Sequence, residues 1–96
     1  MRVLRGSEDL QLAKEVLIAF ENQHHAAGSV CSDIEEGLYW DEESQCYSAD
    51  LGMILRGEAD EVRIFVADDE WLDFDRSRPV AFINYKGETY FLTLRF

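Results

Sequence analysis

The run Asp68-Asp69-Glu70-Trp71-Leu72-Asp73-Phe74-Asp75 concentrates more potential chemistry than any other part of this sequence. It sets five carboxylates around Trp71, Leu72 and Phe74, between two strand-like segments, where a loop or a single helical turn belongs. Loops that carry large aromatics beside charges are frequent recognition surfaces. Tryptophan is among the side chains most enriched at interface hot spots. The chemistry this predicts is docking: Trp71 as a buried anchor, with Asp68, Asp69, Glu70, Asp73 and Asp75 steering a basic partner and pairing with its Arg and Lys side chains. The competing reading folds Trp71 or Phe74 back over the sheet as a lid and leaves the acids solvated.

Three further acidic clusters accompany it: Asp33-Glu35-Glu36, Asp41-Glu42-Glu43 and Glu58-Asp60-Glu61. All fall in predicted turns or connections, and Glu42 and Glu43 form a second tier of the partner-binding set. If the turns project from one edge of a sheet, their carboxylates line up like the phosphates of a nucleic acid and fit the channel of an enzyme that processes one. If they are dispersed, they are a solubilising coat.

Other chemistries find less support. His24, His25, Cys31 and Cys46 are the only soft metal ligands, and none of the standard zinc spacings occurs among them. Adjacent histidines on a helix point about 100° apart, which keeps both from one ion. Asp68, Asp69, Asp73 and Asp75 supply oxygen ligands, but without the alternating acids, central glycine and terminal glutamate of an EF-hand. No nucleophile signature surrounds Ser29, Cys31 or Ser32, and there is no glycine-rich phosphate loop or dinucleotide fingerprint. The expectation is a protein that is not an enzyme and uses neither metal nor cofactor.

Composition narrows the partner. The chain has 96 residues, 47% of them hydrophobic, which predicts one folded domain spanning 1–96. Twenty acidic against nine basic side chains give a net charge of −11, which repels phosphate backbones and anionic lipids and so argues against direct nucleic-acid or membrane binding. A basic protein surface is the complementary class of partner. An acidic, lysine-poor surface also suits high salt, which is the alternative reading of the same numbers. Apolar stretches such as 16–20 reach a quarter of a membrane span. No secretory signal core precedes the first helix, so the expected location is cytoplasmic, with Cys31 and Cys46 free and buried.

Elements that position these residues follow from periodicity. Leu10, Ala13, Leu17 and Phe20, widened by Leu12 and Val16, fall on one helical face and predict a helix over about 8–27, capped by Ser7 and stopped by Gly28. Strands are predicted over about 38–41, 46–50, 53–56, 62–67, 80–85 and 88–96. They read as three hairpins, the last closed by Lys86-Gly87. In that register Ile83 faces Tyr90, Ala81 faces Leu92, and Phe82 pairs with Phe91 on the opposite face. The fold class is α+β: one N-terminal helix packed on an antiparallel sheet of about five or six hairpin-connected strands.

The function that fits these features is a small acidic inhibitor, such as an immunity protein, antitoxin or DNA mimic, that neutralises a basic nuclease or toxin. The alternative is an accessory or scaffolding domain that forms a homodimer through its sheet face, or through residues 89–96 as an edge strand.

Overall fold

The computed structural model describes residues 2–24, 34–48, 61–67 and 80–95; of His24, Val80, Leu94 and Arg95 it describes the backbone. One main helix packs against a six-stranded antiparallel sheet, an α+β architecture. The elements are β1 (Arg2–Val3), α1 (Leu10–His24), β2 (Tyr39–Asp41), β3 (Cys46–Ser48), β4 (Glu61–Val66), β5 (Val80–Tyr85) and β6 (Glu88–Arg95). A single helical turn at 34–37 leads into β2.

The helix is not the first element, because β1 precedes it, pairing Arg2 with Val66 and Val3 with Phe65. Nor does Ser7 cap it. Gly6 adopts a left-handed φ of 71° and the chain turns through 6–8 before the helix begins. Asp9 stands at the cap position, its carbonyl accepting the Ala13 N–H at 2.8 Å. Its carboxylate turns back to the Arg5 N–H at 3.1 Å and the Arg2 guanidinium at 3.5 Å, tying β1 to the start of α1. The helix therefore starts about two residues later than the acids alone suggest, and residues 25–28 lie outside the described ones.

The face predicted for α1 is the one that packs. Ala13, Val16, Leu17 and Phe20 are buried with Leu4, Ile34, Leu38 and the inner face of the sheet, which presents Tyr47, Val62, Ile64, Ile83, Tyr90 and Leu92. Alternation along each strand sends every second side chain to this core.

Sheet order is β2-β3-β4-β6-β5, and β1 shares with β3 the edge of β4 that faces away from β6. One expectation falls outside the described residues and one changes here. The hairpin partner expected at 53–56 lies outside the described residues. And β6 is not an edge strand. It lies between β4 and β5, pairing Glu61 through Val66 with Arg95 through Tyr90 on one side, and β5 on the other. Central placement buries Tyr90, Phe91 and Leu92, the most apolar stretch of β6, on both faces. Among the described strands β2 and β5 end this order, and β1 pairs with β4 alone.

The last hairpin forms in the predicted register, with Ile83 opposite Tyr90, Ala81 opposite Leu92 and Phe82 opposite Phe91. Lys86 and Gly87 both have positive φ, 49° and 82°, which makes the turn type I′ and matches the twist of the strands it joins.

Candidate functional site

Asp68, Asp69, Glu70, Trp71, Asp73 and Asp75 lie outside the described residues, as do Leu72 and Phe74. Glu42 and Glu43 are described: both are exposed in the four-residue turn, 42–45, that joins β2 to β3.

Local hydrogen bonds build that turn. The Asp41 carboxylate accepts the Glu43 N–H at 2.9 Å, the Ser44 N–H at 3.4 Å and the Ser44 hydroxyl at 2.9 Å. The Ser44 hydroxyl and the Glu43 amide favour its charged form and hold its carboxyl below the ordinary value of 3.8. Gln45 closes the turn in a left-handed conformation, φ 56°, donating its N–H to the Asp41 carbonyl at 2.9 Å and its side-chain amide to the Glu42 carbonyl at 2.7 Å. Asp41 is therefore spent on the turn, while Glu42 and Glu43 project from it.

Of the three accompanying clusters, one residue from each of two, Asp41 and Glu61, meets at this end of the sheet. The Ser44 hydroxyl lies 3.2 Å from Glu61 Oε1 as well as 2.9 Å from Asp41 Oδ2, and one proton serves only one of them at a time. Arg63 sits across the same corner, donating to the Ser44 carbonyl at 3.0 Å. Glu35 and Glu36 are exposed on the turn before β2, whereas Asp33, Glu58 and Asp60 lie outside the described residues.

Tyr39 is the residue that reading the sequence missed. It is 55% exposed on the edge strand β2, in the stretch between Glu35-Glu36 and Glu42-Glu43. Its neighbour Trp40 points to the core side and meets Tyr47 edge-on, ring centroids 5.0 Å apart. The signal was present: in a strand reading Tyr-Trp-Asp, one of the two aromatics has to face outward. The arrangement foreseen around Trp71, an aromatic flanked by carboxylates, is thus present in the described part of the molecule around Tyr39.

Three further described residues, Cys46, Tyr47 and Glu21, are buried. Cys46 is a free, buried thiol, and burial together with the nearby Glu61 pushes its pKa up, away from the reactive thiolate. Cys31, His25 and the His24 side chain lie outside the described residues, and among the described ones no group of three ligands is placed to hold a metal. Tyr47 is buried, donates its hydroxyl to the Gly6 carbonyl at 3.0 Å, and has its pKa pushed up to about 12 by burial and by Asp9. Glu21, on the packed side of α1, is only 2% exposed, and its Oε2 is buried without a hydrogen-bond partner. No sequence signal marked it, since an acid at that helical position reads as a flank residue.

Among the described residues no helix is long and apolar enough to cross a membrane. Comparison with protein families, with curated proteins and with solved structures finds no match to this chain.

Proposed function

We propose that this chain is a small acidic protein-binding inhibitor, of immunity-protein, antitoxin or nucleic-acid-mimic type, that neutralises a basic, nucleic-acid-processing enzyme. One observation carries the reading: an edge strand that ends the sheet presents exposed Tyr39 between two exposed pairs of carboxylates, on a chain of net charge −11. An amphipathic aromatic supplies the contact area, and the acids supply encounter rate and register against Arg and Lys. The acidic-aromatic run 68–75, by its composition, belongs to the same chemistry.

The test is capture from the native host lysate at low salt, followed by reconstitution with the captured protein. The supporting result is a basic enzyme whose activity on nucleic acid is titrated away by the chain and restored by salt. The double variant Glu42→Lys/Glu43→Lys then slows association, while Tyr39→Ala or Trp71→Ala speeds dissociation, costing about 2 kcal/mol for whichever is the anchor. Capture of nothing basic, or of an enzyme whose activity the chain leaves untouched, removes the reading.

A further inference from the structure

At the β2 end of the sheet, residues 35–45 carry five acids and no base: Glu35, Glu36, Asp41, Glu42 and Glu43. Asp41 is engaged in its own turn, which leaves the two exposed pairs that flank Tyr39. Two cations border this strip, and both donate to backbone: Lys14 Nζ to the Glu35 carbonyl at 2.8 Å and Arg63 to the Ser44 carbonyl at 3.0 Å. Among the described residues no cation pairs with the side chains of Glu35, Glu36, Glu42 or Glu43; the ion pairs there join Arg2 to Asp9 and Lys86 to Glu15. Glu36 precedes Tyr39 by three residues and Glu42 follows it by three, a span of at most ~11 Å each way. An extended cationic side chain resting on the Tyr39 ring is within reach of carboxylates from either side.

The fold itself shows what a tyrosine face beside a carboxylate binds. Lys86 Nζ stands 5.3 Å from the centroid of the Tyr85 ring and 3.8 Å from Glu15 Oε1, which accepts the Tyr85 hydroxyl at 3.1 Å. Tyr39 has the same two ingredients, a ring that is 55% exposed and acids on both sides, and no cation over it among the described residues.

We infer that Tyr39 and its flanking carboxylates select arginine over lysine on the partner: one guanidinium stacks on the Tyr39 ring while Glu36 or Glu42 takes its N–H edge. This rests on the reading of the chain as the binder of a basic protein and names the side chain that it grips. Charge complementarity fixes the occupant as a cationic surface, since a second copy of this chain brings the same acids and is repelled. The pairing of ring with acids then chooses between the two cations. A guanidinium is planar and weakly hydrated, so it lies flat on an aromatic face and keeps the N–H groups around its rim for carboxylates. An ammonium is compact and strongly hydrated, and it has no plane to stack. The four glutamates alone would attract either; the exposed ring between them makes the difference.

Titration of the isotope-labelled full chain with two end-blocked peptides, hexa-arginine and hexa-lysine, followed by nuclear magnetic resonance at low salt, tests it. The expected result is that hexa-arginine binds about two- to fivefold tighter than hexa-lysine. Its largest shift changes should fall on Tyr39 and on Glu35, Glu36, Glu42 and Glu43. Tyr39→Leu should erase the arginine advantage and leave hexa-lysine affinity in place, whereas Tyr39→Phe, which keeps the ring, should retain the advantage. Equal affinities for the two peptides, an arginine preference that survives Tyr39→Leu, or one centred on residues 68–75 and lost in Trp71→Leu would each overturn it. The inference and the proposed function fail separately. A captured basic enzyme that the chain inhibits, together with equal peptide affinities, overturns the arginine selection alone.

Discussion

Asp41 and Glu21 are both carboxylates, and the fold uses them in opposite ways. Asp41 accepts three hydrogen bonds from Glu43 and Ser44, which lower its pKa in the folded state. A depressed folded-state value adds stability that is present above the ordinary value of 3.8 and lost as pH falls below it. Asp41→Asn should therefore lower the melting temperature at neutral pH, and the gap from the parent should close in strong acid; thermal melts across pH read both. Glu21 is buried with one oxygen unpartnered. Replacing such a group by an apolar one of similar shape is often neutral or stabilising. Glu21→Met should accordingly raise unfolding free energy by about 1 kcal/mol in urea titrations, and a loss of that size would mean that the carboxylate is working in the fold. Asp41 was read only as one of an acidic cluster, although an aspartate three residues before a serine in a polar loop invites a local turn. Glu21 was not legible, because what buries it comes from elsewhere in the chain.

At the scale of elements, the β5–β6 hairpin is the part most fully written in the sequence. Its register follows from a two-residue turn whose positions both need positive φ. Gly87 has open space where a Cβ would stand but a φ of 82°, so Gly87→Val should cost on the order of 1–2 kcal/mol through the backbone alone. Across the strands, Phe91 is 2% exposed and Phe82 52%. Phe91→Ala should cost about 3–5 kcal/mol, while Phe82→Ala should cost about 0.5–1.5 kcal/mol through the lost edge-on contact with Phe91; denaturant midpoints on the two variants separate them. The helix start was read less well. Ser7 had the right chemistry for a cap, but Gly6 and the pull of Arg5 and Arg2 on Asp9 moved the start inward.

For the whole molecule, strand order distributes the surface. The sheet ends on one side in β2, with Tyr39 and four exposed carboxylates nearby, and on the other in uncharged β5 with Phe82. A foreign basic partner at the β2 end should leave as ionic strength rises. A salt titration of that complex reads it.

The sequence by itself determined the α+β class, the packed face of α1, the β2–β3 and β5–β6 hairpins and the pairing of Phe82 with Phe91. Each depends on side-chain period or turn chemistry that acts within a few residues. Only the tertiary structure decided that β6 lies inside the sheet, that β1 and β3 share an edge of β4, that Tyr39 rather than Trp40 faces outward, and that Asp41 and Glu61 converge on Ser44. Pairings such as Ile64 with Leu92 join segments that no short turn connects. They are chosen by which faces the whole molecule must bury, and that choice settles which strands remain as edges for a partner to meet.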